Sequence, residues 1–423
     1  MGRSTGSQRS EGSSPARGRS PFAAAAPSIA ISLVYLATLL VWLAFGDLLP
    51  GGRWLAVHLF TLGVLTNLVL TLSEHFARTV TRTPGRRSWW WPLVTNIGVL
   101  GVLLGMRLGP LVLAAGGTIL TFVVVAAYLR LRRMRRRAVE ARFAWVAQAY
   151  EHAHGAFVVG AVLGILLGAG LVPGAWVVGV RAAHLHANVL GWGGLTLLAT
   201  LVFFGPTMVR TRIEPGADDR GARAVRIGAI GLGLGLLLLA LAGAPGSAGR
   251  IARVGAGIGL GVLAWATTVV CLPVARAALR AKPTAPRWPV IAVCVWFPLV
   301  VWADAAVIIA GMWRWLDALG AAALVGVLAQ AILATLTYLA PMLRFGSSPA
   351  REVTRTRLER GARTRAVLFQ VGALCVVVAA LRLTALPLAA VGWALLTAAI
   401  VTAVVAAARR PPTGSGAASQ SAA

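Results

Sequence analysis

Twelve apolar runs, each near the length of one bilayer crossing, alternate along this 423-residue chain with connections by turns rich and poor in arginine. A crossing takes about 20 apolar residues. The runs lie near 24–48, 54–76, 89–106, 108–129, 143–171, 176–208, 225–244, 251–275, 288–312, 317–343, 364–381 and 384–408. Lipid cannot hydrogen-bond a peptide group, so only helices or a closed barrel span it. Continuous apolar runs of this length select helices. The expected fold is all-α: an integral membrane bundle of twelve transmembrane helices over 23–408, between disordered polar tails at 1–22 and 409–423. The first run is too long for a signal-peptide core and lacks a small-residue cleavage site after it.

Charge supports the same count. Charged residues make up 12% of the chain, against about 25% in soluble domains. A formal charge of +28 could mean nucleic acid, so the positions of the cations must decide. With the N-terminus inside, every Lys and Arg falls on an inside segment except Arg53, Arg107, Arg181, Arg250, Arg253, Arg314 and Arg382. That alternation holds at every crossing and is the positive-inside pattern. It explains the basic balance without nucleic acid and places both termini in the cytoplasm of a bacterial cell with a multi-pass plasma-membrane protein. The partner so implied is the lipid bilayer, and the run 130–142 is read as a topology anchor. Cys271, Cys294 and Cys375 stand singly in different spans and form no disulfide framework.

Chemistry concentrates in the histidines, all six of which lie in or at the edge of spans. Ionisable groups in hydrocarbon are costly and normally mark function. Glu151-His152-Ala153-His154 and His184-Leu185-His186-Ala187-Asn188 occupy helices 5 and 6, joined by a short turn at Pro173. His58 and His75 share helix 2, and 17 residues at 1.5 Å each hold them about 25 Å apart, too far for one metal. Residues two apart on a helix point about 200° from each other, so each His-x-His pair serves two faces rather than chelating one ion. His58, His152, His154, His184 and His186 are the candidate metal or haem ligands. Asn67, Gln148, Glu151, Arg181 and Asn188 are the polar neighbours that could orient them, with Arg181 also placed to meet a haem propionate. Glu74, His75 and Asp304 mark a possible proton path.

These residues carry a resemblance. His184-Leu185-His186-Ala187-Asn188-Val189-Leu190-Gly191-Trp192, followed by Pro206-Thr207-Met208-Val209-Arg210-Thr211-Arg212, resembles a pattern of actinobacterial membrane proteins labelled copper oxidase. Some of these are fused to a multicopper oxidase or copper nitrite reductase domain. His58-Leu59-Phe60-Thr61-Leu62-Gly63 with Asn67 and His75-Phe76 looks like that family's second helix. Gln330 with Tyr338-Leu339-Ala340-Pro341 looks like its tenth. More distantly, the chain resembles haem-copper oxidase subunit I and the NnrS-type haem and copper proteins. The resemblance implies haem b, copper or both, and electron transfer to an extracytoplasmic copper oxidase or nitrite reductase, or nitric oxide handling. Helices 7 to 12 hold no histidine, so a complete oxygen-reducing haem-copper centre is not expected.

The leading expectation is therefore a membrane-embedded haem- or copper-binding protein with redox function. Two other classes stay open: a proton-coupled or metal-ion transporter using the same histidines, and a non-catalytic partner subunit.

Overall fold

The computed structural model describes residues 25–45, 51–84, 90–138, 142–344, 348–382 and 387–409. The expected tails at 1–22 and 409–423 lie outside these, Arg409 excepted. All secondary structure among the described residues is helical, and twelve helices are long and apolar enough to cross a membrane. They are α1 (Ala26–Phe45), α2 (Gly52–Thr81), α3 (Trp90–Leu108), α4 (Pro110–Arg137), α5 (Ala144–Gly168) and α6 (Gly174–Met208), then α7 (Ala217–Leu241), α8 (Gly246–Arg280), α9 (Arg287–Ala310), α10 (Trp313–Leu343), α11 (Ala362–Ala380) and α12 (Leu388–Ala408). A further short helix, Ser348–Glu359, joins α10 to α11.

The outer surface explains the apolar composition. Leu111, Ile251 and Ile230 are 85%, 72% and 66% exposed. Water would penalise such a surface, whereas lipid accepts it. The chain is a multi-pass membrane protein. Several helices also run past the apolar stretch into charged sequence. Thus α4 continues through the arginines to Arg137 and α7 begins at Ala217.

Three helices are not regular. Inside α2, α6 and α10 the backbone widens to a π-helix at Leu59–Leu65, Ala187–Gly194 and Ala322–Ala329. Such bulges are rare and gather at functional sites. Each starts immediately after residue 58, 186 or 321, and each carries a glycine five residues beyond that point: Gly63, Gly191 and Gly326. Each glycine packs on the preceding helix. A Cβ there would stand 2.5 Å from Tyr35 Cγ on α1, 2.5 Å from Ala156 Cβ on α5 and 2.7 Å from Trp296 Cδ2 on α9. The chain thus repeats one packing device every four helices. The three bulges meet, that of α6 touching those of α2 and α10. Lower in the bundle, Phe76 of α2, Phe204 of α6 and Tyr338 of α10 are joined by ring contacts at 4.7 and 5.2 Å. These three helices are thus joined through α6, and two of them carry histidines.

Candidate functional site

His58 and His186 each stand on the last α-helical turn before a bulge. His58 is six residues into α2, about 9 Å along its axis, and His184 is ten residues into α6. The His58 and His184 rings lie near each other across the helices, nearly parallel at 19°, with centroids 6.4 Å apart. Trp54 stacks on His58 at 4.0 Å.

The hydrogen bonds set the tautomers. His58 Nδ1 lies 2.8 Å from the Trp54 carbonyl, and His184 Nδ1 lies 2.7 Å from that of Gly160 on α5. A carbonyl only accepts, so each Nδ1 carries the proton and each Nε2 holds its lone pair for another partner. Asn188 also lies 3.4 Å from His184 Nδ1, but that nitrogen is already donating. The bond Asn188 makes is to the His184 carbonyl at 2.8 Å. Glycines of α5 make the approach of α6 possible. A Cβ on Gly160 would meet Asn188 Nδ2 at 2.4 Å, and one on Gly164 would meet His184 Cε1 at 2.7 Å.

His186 points the other way, as two-residue spacing requires. It is buried, gives Nδ1–H to the Ala182 carbonyl at 2.7 Å, and sets Nε2 2.7 Å from Asp304 Oδ2 on α9. With Nδ1 protonated, a bare Nε2 lone pair and a carboxylate oxygen would repel at that distance, so the pair shares a proton. A cavity of about 20 Å³ adjoins them, walled by Leu185, Val300 and Leu316 among others. That is room for one water.

His154 is fully buried on α5. Its Nδ1 donates to the Tyr150 carbonyl at 2.6 Å and its ring meets Trp192 of α6 edge-on at 4.6 Å. Among the described residues its Nε2 has no hydrogen-bond partner, and neither do Trp192 Nε1 and Thr196 Oγ1. An unpaired buried polar atom costs roughly 1–3 kcal/mol, so this spot favours a bound polar group.

The remaining candidates do not join these. His152 is exposed on the outer face of α5, and Arg181 is exposed one turn before His184. Gln148 is half-buried. Glu151 does not orient His152: it takes two bonds from Arg135 of α4, at 2.6 and 3.2 Å. Asn67 locks α2 to α3 by a reciprocal amide pair with Asn96 at 3.1 and 3.0 Å. Glu74 accepts from Arg78 at 2.6 Å and Arg130 at 2.9 Å. His75 lies 17 residues from His58 on α2, beside Phe76. Among the described residues no three His, Cys, Asp or Glu side chains come together as a metal-holding group. Sequence reasoning passed over Trp54, Gly160 and Gly164, although the Gly-x-x-x-Gly of α5 is a signal for close helix packing.

No protein-family model matches the chain, and no curated protein matches it.

Proposed function

We propose that this chain is a membrane redox protein of the haem-copper oxidase subunit I type, with His58 and His184 as the two protein ligands of a haem b. The observation that carries this reading is the His58–His184 pair. Where two imidazoles both turn Nε2 to one metal at about 2.0–2.1 Å, their ring centres stand roughly 6 Å apart. The pair is 6.4 Å apart. Both Nδ1–H groups are held by carbonyls, the arrangement that orients an imidazole and makes Nε2 a better ligand. Two imidazoles are too few for a structural zinc ion. They suit haem iron, which brings four nitrogens of its own.

Bound haem supplies one-electron chemistry. The protein's part is to hold the two imidazoles, exclude water and set the local charge. Trp54 restrains His58 by stacking and the Gly160 carbonyl restrains His184. Copper(I) is the smaller guest for the same two nitrogens. Electron transfer to an extracytoplasmic copper oxidase or nitrite reductase, or nitric oxide handling, is the role this chemistry serves. The test is a reduced-minus-oxidised spectrum of the purified protein and of its His58→Ala and His184→Ala variants.

One observation favours a second reading, a proton-coupled transporter: the buried His186–Asp304 contact beside a water-sized cavity. Proton flux in proteoliposomes that is lost in Asp304→Asn, without any haem band in the wild type, would select it.

A further inference from the structure

A groove of about 670 Å³ runs down the lipid-facing side of α7, α8 and α9, away from the histidines. Its floor is α8, where Gly257, Gly261 and Trp265 follow one inclined i+4 ridge and Arg253 precedes them by one turn. Its far wall is α9, with Ile309 at one end and Trp302 at the other.

The glycines have different duties. A Cβ on Gly257 would come 2.2 Å from Ile309 Cγ1 and 3.0 Å from the Ala305 carbonyl, so this glycine lets α8 and α9 touch. A Cβ on Gly261 would meet nothing nearer than Trp302 Cζ3 at 4.0 Å. The floor there is bare because the space above it is empty of protein. Trp265 and Trp302 close the deep end, Trp302 Nε1 donating to Thr268 Oγ1 at 3.2 Å.

The open end carries a cation. Arg253 sits one turn above Gly257, its guanidinium lying over Gly311 at the end of α9, and its Nε, buried against that glycine, has no hydrogen-bond partner among the described residues. Twelve residues from Arg253 to Trp265 span about 18 Å. Half of the hydrocarbon core is about 15 Å. A headgroup-level arginine and a midplane tryptophan thus bracket one leaflet, on the arginine-poor side of the membrane.

We infer that this groove seats one acyl chain of an anionic phospholipid whose phosphate rests against Arg253. Charge favours this occupant over a second copy of the chain, which would bring its own Arg250 and Arg253 to the same rim. Among the described residues the lining is apolar and holds no acidic group, and the Arg253 guanidinium is the cation one turn beyond it.

The test is native mass spectrometry of the full-length protein in detergent, titrated with phosphatidylglycerol or phosphatidylcholine of identical chains. One phosphatidylglycerol molecule should be retained at least tenfold more tightly than phosphatidylcholine. Arg253→Gln should abolish the preference, and Gly261→Phe, which fills the groove, should remove the retained lipid at unchanged helix content. If Gly261→Phe does not fold, Arg253→Gln decides alone. Equal retention of the two lipids by the wild type, an undiminished preference in Arg253→Gln, or a dimer dissociated by Gly261→Phe would overturn the inference.

Discussion

Gly164 of α5 faces His184 of α6 so closely that a methyl group on the glycine would stand 2.7 Å from the imidazole Cε1. The position of His184 is therefore set by what α5 lacks. Gly164→Ala should push the ring aside at an overpacking cost of about 1–3 kcal/mol, lowering Tm and shifting or weakening any metal-linked absorption. Gly155 of the same helix is the control. A Cβ there meets nothing within 4 Å, so Gly155→Ala should leave Tm unchanged or raise it, by up to about 1 kcal/mol in helix preference.

Burial separates two acidic pairs that look alike in a contact map. His186 and Asp304 have side chains only 3% and 6% exposed, whereas Arg53 and Asp317 are 56% and 44% exposed. Removing one partner of a buried pair typically costs about 3–5 kcal/mol. An exposed pair is worth about 0–1 kcal/mol. Asp304→Ala should therefore lower thermal stability sharply while Asp317→Ala barely moves it, as read from detergent-solubilised unfolding curves. Equal effects would show that the His186–Asp304 contact does not hold the bundle.

Topology gives an independent check. Single cysteines placed at Arg107 and at Arg136, in a chain lacking the three native cysteines, should label from opposite sides of the membrane. The Arg136 side should be the cytoplasmic one, because it carries the arginine excess. Labelling of both positions by an impermeant reagent from one side would refute the crossing between them.

Much of the fold was legible because hydropathy reports membrane depth directly. All twelve spans appear near their expected positions, with α6 expected at 176–208 and found at Gly174–Met208. What hydropathy misses is helix that continues in water. The ends of α4 and α7, and the helix Ser348–Glu359, lie in arginine-rich sequence that reads as loop. The bulges were hidden too, since a π-turn leaves no mark in composition.

The site was legible in part. Spacing alone says that His184 and His186 face opposite ways, and they do, toward α5 and α9. Spacing cannot say that Asp304, 118 residues on, takes His186. Nor can it say that Glu151 and Asn67 are taken by Arg135 and Asn96. Those are tertiary pairings, set by which helices pack together. His152 and His154 follow the same spacing rule, one ring exposed and the other buried.

Whether His58 and His184 hold a redox metal group is read from visible spectroscopy with metal analysis on one purified sample. A reduced-minus-oxidised haem band with stoichiometric iron is expected, abolished by His58→Ala or His184→Ala and retained in His75→Ala and His152→Ala. The absence of a haem band together with substoichiometric copper would contradict it, as would a band that survives His184→Ala but is lost in His75→Ala.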